Sequence, residues 1–123
     1  VPIFVHRVGS SFLRRGGAVS VSARVLAELT RLLGADYVQV GSFSPRTFDA
    51  DDEVREQIGA CGSDLGVNAA TAVVGGGVGP DNAAEQLARA GVRDGVMLLL
   101  GSAAYQHPEG LRAGVAAAVA AVS

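Results

Sequence analysis

Four short apolar runs, each followed by a glycine-containing loop and then a helical pattern, constrain the fold of this chain more than any other feature. The runs are continuous or nearly so, which is typical of parallel strands covered by helices. Because strand–helix–strand crossovers are right-handed, the repeated unit predicts one parallel sheet. The four predicted strands span residues 2–6, 36–41, 70–74 and 95–100.

Helix signals fill the segments between these runs. Apolar residues recur at 3.6-residue spacing between positions 25 and 33, which predicts a helix with a serine cap (Ser20 or Ser22) and a stop at Gly34. Three more helices are predicted over residues 51–61, 80–91 and 108–122. The first and last helices carry apolar stripes, formed by Val25, Leu26, Leu29, Leu32 and Leu33 and by Leu111, Val115, Val119 and Val122.

The order of elements is (βα)4, an α/β fold that we assign to a single domain over residues 1–123. A closed (β/α)8 barrel needs roughly 200 residues or more, so the chain is too short for one. Two architectures fit: a parallel-stranded half of a TIM-type (β/α)8 barrel, or a small open α/β sheet. The first residue is Val1 rather than methionine, and we expect the chain to be an excerpt of a longer protein.

Composition narrows the classes of function. A formal net charge of −2 disfavours a nucleic-acid or acidic-membrane surface. All ten basic residues are arginine, so the chain supplies no lysine for a Schiff base, a carbamate or a phosphate loop. The single cysteine, Cys61, excludes an internal disulfide and a cysteine-rich zinc site. No apolar run reaches the length of a membrane span and no signal peptide is visible, which predicts a cytoplasmic protein.

The carboxyl ends of the predicted strands are where an α/β fold of either architecture holds its ligand. The residues at these ends are His6 and Arg7 on the first strand, Gln39, Gly41 and Ser42 on the second, with Arg46 in the loop that follows it, Gly75, Gly76 and Gly77 on the third, and Gly101 and Ser102 on the fourth.

Two of these strand ends predict a phosphate site. Three consecutive glycines let backbone N–H groups approach an anion because no Cβ stands in the way. The helix N-terminus that follows them adds about half a positive charge. A second glycine turn follows the next strand, and this pair of loops is where (β/α)8 enzymes usually hold phosphate. Arg7 suits a phosphate too, because a guanidinium binds oxyanions through two parallel hydrogen bonds.

Other polar groups are interpreted as structural. The acidic run at residues 49–53 is typical of a solvated helix start. Cys61 lies near the end of a helix on the outer face, which makes it a poor candidate for a nucleophile. No carboxylate cluster or HExxH-type spacing offers a metal site in this chain.

A set of short motifs occurs in a fixed order along the chain. The motifs are His6-Arg7, Arg24-Val25-Leu26-Ala27, Gly34-Ala35-Asp36, Val40-Gly41-Ser42, Val74-Gly75-Gly76-Gly77-Val78 and Gly101-Ser102, with His107-Pro108 after the last. Their ordered set resembles barrel strands five to eight of the RuBisCO large subunit and of RuBisCO-like proteins. The resemblance covers nearly the whole chain and implies the C-terminal half of that catalytic barrel.

The resemblance implies two phosphate positions. Arg7, with Gln39 at a phosphate-contacting position, would bind one phosphate of a sugar bisphosphate. The other phosphate would be held after the last two strands, by Gly76, Gly77, Gly101 and Ser102.

Candidate catalytic residues and partners also come from the resemblance. His6 would line the substrate cavity, and Arg46 falls near the family's mobile-loop lysine. Magnesium is implied as the cofactor, but its ligands, a carbamylated lysine and two acidic residues, belong to an N-terminal half of the barrel. That N-terminal half and a second copy in a homodimer are the implied protein partners.

Departures from the family pattern leave two functions open. Arg46 replaces the lysine and Gln39 replaces a histidine, so carboxylation of ribulose bisphosphate is not expected. The first hypothesis is a half-barrel of a RuBisCO-like lyase or isomerase, with enediolate chemistry on a phosphorylated sugar or methylthio-sugar. The second is a non-catalytic α/β module that binds a phosphorylated ligand.

Overall fold

The strands pair in the order in which they occur along the chain. The computed structural model describes residues 1–15 and 17–123, and its strands are β1 Phe4–Val5, β2 Tyr37–Gly41, β3 Thr71–Gly75 and β4 Val96–Leu99. They form one parallel sheet in the order β1-β2-β3-β4. The parallel α/β prediction is confirmed, and the strand bounds agree with the predicted ones to within two residues.

This strand order also decides between the two architectures. A doubly wound open sheet reverses its strand order at a switch point, which puts helices on both faces. Here each strand neighbours the next one in sequence, so right-handed crossovers place the connecting helices on the same face. The described chain is therefore the half-barrel arrangement of a (β/α)8 fold.

Six helices connect or follow the strands within the described residues. They are α1 Ser10–Arg14, α2 Ala23–Leu32, α3 Asp51–Gly62, α4 Ala83–Ala90, α5 Ser102–Tyr105 and α6 Leu111–Val122, with a 3-10 turn at Pro45–Thr47. Ser22 caps α2, because its hydroxyl accepts a hydrogen bond from the Val25 N–H at 3.2 Å. The short helices α1 and α5 were not predicted from the sequence.

Two predicted helices begin three residues later than expected. The α4 helix starts at Ala83 because the Asn82 carboxamide accepts a hydrogen bond from the Gly79 N–H at 2.9 Å, which holds residues 79–82 in a turn. The α6 helix starts at Leu111 because Gly110 has φ 88°, which interrupts a right-handed helix.

The core lies between one face of the sheet and the helices. Alternate residues of the two central strands point into it, including Val38, Val40, Ala72 and Val74. The α3 helix contributes Val54 to the same core. The opposite face of the sheet is uncovered at its edges, where Phe4, Met97 and Leu99 are 42%, 38% and 36% exposed.

The apolar stripes of the outermost helices do not face this core. In α2 the buried residues are Ala23, Ala27 and Arg31. The α2 helix packs on α3, and α6 packs on α4 and α5, so each outermost helix has neighbours on one side only. The exposed apolar residues are Val25, Leu29 and Leu32 on α2 and Leu111, Val115 and Val119 on α6. No helix within the described residues is long and apolar enough to cross a membrane.

Candidate functional site

A cavity of about 430 Å³ opens at the carboxyl ends of β3 and β4. It collects most of the residues that the glycine motifs singled out, together with the tip of the loop after β2. We call it the glycine cavity, and its lining residues are Ser44, Arg46, Gly76, Gly77, Val78, Asp81, Asn82, Leu99, Gly101, Ser102, Ala103 and Gln106.

The turn after β3 requires glycine at two successive positions. Gly76 and Gly77 have φ values of 115° and 77°, a region that other residues rarely adopt. A Cβ at Gly76 would lie 2.5 Å from the Thr47 methyl group, and one at Gly77 would lie 2.8 Å from the Ser44 hydroxyl. The loop after β2 therefore packs directly onto this turn.

Hydrogen bonds fix the carbonyl groups of the same turn. The Ser42 hydroxyl donates to the Gly76 carbonyl at 2.5 Å, and the Asn82 carboxamide donates to the Gly77 carbonyl at 2.9 Å. The N–H groups of Gly76, Gly77 and Gly101 donate to none of the described residues. These three glycines line the cavity, and their N–H groups are not used in bonds to the described residues.

Arg46 brings a positive charge to the glycine cavity. Arg46 lies on the 3-10 turn. The Arg46 N–H donates a hydrogen bond to the Ser44 hydroxyl at 3.3 Å, which caps this turn. A Cβ at Gly77 would lie 3.0 Å from the Arg46 side chain, so this side chain passes over the glycine turn. Arg46 forms no ion pair with a described residue. Its guanidinium is free to meet an anion.

Arg7 is placed differently from Arg46. Its guanidinium forms a two-point ion pair with Asp49, at 2.6 Å and 3.1 Å. The Asp49 carboxylate also pairs with Arg14 at 2.6 Å, and its side chain is fully buried. Gly41 permits this arrangement, because a Cβ there would overlap the ion pair. Arg7 does not line the glycine cavity but a second cavity of about 470 Å³ beside β1, α1 and α2.

The interpretation of the acidic run at residues 49–53 as a solvated helix start is wrong for Asp49, whose side chain is fully buried. Burial alone would raise the pKa of Asp49, but hydrogen bonds from Arg7 and Arg14 hold that pKa below its usual value. The carboxylate is therefore charged at neutral pH. Asp51, two residues later, does pair at the surface, with Arg89 at 2.6 Å.

His6 and Gln39 lie at the ends of the neighbouring strands β1 and β2. The exposed His6 accepts a hydrogen bond at Nδ1 from the Val8 N–H at 3.1 Å. The buried Gln39 accepts one from the Arg7 N–H at 3.4 Å. Neither residue lines the glycine cavity. The structure thus brings Arg46, Gly76, Gly77, Gly101 and Ser102 together and leaves His6, Arg7 and Gln39 apart from them.

Sequence reasoning missed three residues that shape this region. Asn82 organises the glycine turn, and its position just before a helix was the available signal. Asp81 adds a carboxylate to the cavity lining. Asp49 binds Arg7 from 42 residues away in sequence, and no local pattern indicates a pairing over that separation.

Cys61 is unsuited to nucleophilic chemistry. It is 1% exposed, and burial raises the pKa of its thiol to about 11 against the opposing effect of the Arg31 charge. The thiol is protonated at neutral pH, and the thiolate is the reactive form.

No family model matches the chain, and no curated protein sequence matches it. Several solved structures match the chain in fold. The octameric ribulose-1,5-bisphosphate carboxylase/oxygenase (RuBisCO) of Pyrococcus horikoshii OT3 matches 99% of this chain with a TM-score of 0.88 and 22% identity. The fold of this chain is that of a segment of RuBisCO.

Two further RuBisCO-type structures agree. An archaeal RuBisCO matches 98% of the chain with a TM-score of 0.80 and 25% identity. A RuBisCO-like protein from Burkholderia fungorum matches 94% of it with a TM-score of 0.81 and 24% identity. The chain spans 29% of the Pyrococcus RuBisCO, 31% of the archaeal RuBisCO and 29% of the RuBisCO-like protein. The resemblance inferred from the ordered motifs is confirmed at the level of the fold.

The residues of this chain do not fit the magnesium ion that the RuBisCO resemblance implies. In residues 1–15 and 17–123, no group of three or more His, Cys, Asp or Glu side chains is arranged to hold a metal ion. The sequence also contains no lysine that could carry a carbamate. The chain therefore does not supply the ligand set that the resemblance assigns to magnesium.

Proposed function

We propose that this chain is the C-terminal half-barrel of a RuBisCO-like protein and that its glycine cavity binds the phosphate of a phosphorylated sugar. The observation that carries the proposal is that one cavity is lined by three glycines whose N–H groups donate to none of the described residues and by Arg46, which has no ion pair with them. The fold supports it, and one matched Pyrococcus RuBisCO structure is a complex with sulfate, a tetrahedral oxyanion like phosphate.

Each group in the glycine cavity has a proposed role. The N–H groups of Gly76, Gly77 and Gly101 donate to the phosphate oxygens, with the Ser102 hydroxyl beside them. Arg46 supplies the positive charge, which makes the hydrogen bonds to the dianion stronger than those between neutral groups. Ser42 and Asn82 hold the glycine carbonyls, so the turn is ordered before the ligand arrives.

Catalysis is the second part of the proposal. The chemistry that accompanies the resemblance is abstraction of a proton next to a ketone, which gives an enediolate. His6 and Arg46 are the candidate catalytic residues of this chain. The metal site and the remaining wall of the barrel are assigned to an N-terminal half, and assembly as a homodimer is part of the same proposal.

Phosphate binding is tested by titrating the ¹⁵N-labelled chain with ribitol 5-phosphate and following the backbone amide resonances. We expect the largest shifts at Gly76, Gly77 and Gly101. The Arg46→Gln variant should bind about tenfold more weakly, because one charge-assisted contact is lost. Arg93→Gln is the matched control: Arg93 is also exposed but lies ahead of β4, at the opposite end of the sheet.

Two results would contradict the binding proposal. One is an equal set of shifts with ribitol, which lacks the phosphate. The other is equal weakening by Arg46→Gln and Arg93→Gln, which would show only a general effect of net charge. Far-ultraviolet circular dichroism of each variant confirms that the fold is retained.

The replacement of the family's lysine by Arg46 and of its histidine by Gln39 favours the non-catalytic alternative. The two functions are separated by incubating the protein that carries the proposed N-terminal half, with Mg²⁺ added, with ribulose 5-phosphate in D2O. Enolisation incorporates deuterium at the carbon next to the carbonyl, which ¹H NMR detects. Binding without incorporation would identify a phosphate-binding module.

A further inference from the structure

The charge of Arg7 is neutralised by a carboxylate in the described part of the chain, and the charge of Arg46 is not. Arg46 has no carboxylate partner among the described residues. Arg7 donates a hydrogen bond from Nη2 to one oxygen of Asp49 at 3.1 Å, and its Nη1 forms an ion-pair contact with the other oxygen at 2.6 Å. A guanidinium binds phosphate through the same pair of N–H groups that it uses for a carboxylate. The binding edge of Arg7 is thus already occupied within the protein.

Asp49 is held firmly in this position. Its side chain is fully buried, and Arg14, whose side chain is 4% exposed, binds it from the other side at 2.6 Å. Arg14 is fixed in turn by Glu53 at 3.0 Å. A phosphate at Arg7 would therefore have to displace a buried carboxylate and then lie beside its negative charge.

The two arginines lie at opposite ends of the strand row. Arg7 follows β1, and the glycine cavity follows β3 and β4. Since neighbouring strands are about 4.8 Å apart, β1 and β3 are roughly 10 Å apart at this edge. A phosphorylated sugar that reaches from the cavity towards β1 meets a free cation at one end and a neutralised one at the other.

We infer that the chain contacts only one phosphate of its sugar ligand, and that Asp49 is the residue that keeps Arg7 from contacting a second. The inference rests on the proposed phosphate binding in the glycine cavity. Asp49 acts by engaging Arg7, so it determines specificity without touching the ligand.

The inference is tested first on the unaltered chain. Isothermal titration calorimetry compares ribitol 5-phosphate with ribitol 1,5-bisphosphate at one pH and ionic strength. We expect the two dissociation constants to agree within about twofold, because the second phosphate meets no free cation at Arg7. Binding of the bisphosphate more than about fivefold tighter would overturn the inference, because a second charge-assisted contact gives a larger gain than that.

Substitutions then assign the missing second phosphate contact to Asp49. In Asp49→Asn, Arg7 is released and the affinity for the bisphosphate should rise about tenfold relative to the monophosphate. Adding Arg7→Gln to this variant should abolish the gain. Asp51→Asn is the matched control, because it also removes a carboxylate from an arginine pair at the start of α3 and should leave the ratio unchanged.

The outcomes separate this inference from the proposed function. Failure of both ligands to bind would refute the phosphate site itself. Binding of both ligands with a strong preference for the bisphosphate would leave that site intact and refute the role of Asp49. Should Asp49→Asn fail to fold, the comparison of the two ligands on the unaltered chain still decides the matter.

Discussion

Arg31 shows at the scale of one residue how a buried charge can be satisfied without a carboxylate. It is 2% exposed, and its guanidinium donates to the carbonyl groups of Ala60, Ser63 and Asn68 at 2.5, 2.9 and 3.2 Å. These carbonyls lie at the end of α3 and in the loop beyond it, where the helix dipole is negative. Arg31 therefore joins α2 to the end of α3.

Replacing Arg31 by methionine tests this role. We expect Arg31→Met to lower the free energy of unfolding by about 3 kcal/mol, because several buried carbonyl groups lose their donor. Urea denaturation followed by circular dichroism measures the change. Arg24→Met is the control on the same helix: Arg24 is exposed and, among the described residues, pairs with Glu28 alone, so its urea midpoint should stay near that of the unaltered chain. Equal midpoints for the two variants would contradict the structural role of Arg31.

At the scale of elements, the contact between α5 and α6 depends on one glycine. A Cβ at Gly114 would lie 2.6 Å from the Ala104 carbonyl oxygen and 3.0 Å from the Ala104 Cα. Both are backbone atoms of α5, which cannot move aside as a flexible side chain can. The α6 helix therefore needs glycine at this position to approach α5.

Two glycine-to-alanine variants separate this packing from helix propensity. Gly114→Ala should lower the free energy of unfolding by about 1–3 kcal/mol, because the added methyl group overpacks the contact. Gly59→Ala, at an exposed position of α3 with nothing near its Cβ, should raise it by up to about 1 kcal/mol through helix propensity. Thermal or urea unfolding measures both. Stabilisation by Gly114→Ala would contradict the close contact.

At the scale of the whole molecule, both edges of the half-barrel are open. The edge strands β1 and β4 each pair on one side only. Beside them, α2 and α6 expose apolar stripes, with Leu29 48% and Val115 46% exposed. Unpaired strand edges and exposed apolar stripes both favour association.

We expect the chain by itself to form dimers or larger aggregates, as measured by multi-angle light scattering. Placing a charge on each stripe, in the double variant Leu29→Lys and Val115→Lys, should shift it towards the monomer. Val67→Lys is the control, because Val67 is also exposed but precedes the central strand β3. A monomeric unaltered chain would show that the edges do not drive association.

Local sequence patterns predicted the residues of the glycine cavity, but they did not predict that Arg7 forms an ion pair with Asp49. Gly76, Gly77, Gly101 and Ser102 follow strands that any parallel arrangement brings to one edge, so order along the chain was enough to place them. Arg46 lies seven residues beyond Gln39, and only the 3-10 turn carries it over to the cavity after β3. The pairing of Arg7 with Asp49 depends on how the loops after β1 and β2 meet, which no local pattern encodes.

The (βα)4 order, the parallel sheet and the glycine turns can be read from local sequence patterns, because they follow from short-range periodicity and from the conformations that glycine permits. The tertiary structure alone decided which apolar stripes stay exposed, since that depends on which neighbours each helix has. It also decided which arginines remain free to bind a ligand. Arg7 and Arg46 carry the same charge, but burial of Asp49 beside one of them leaves only the other available.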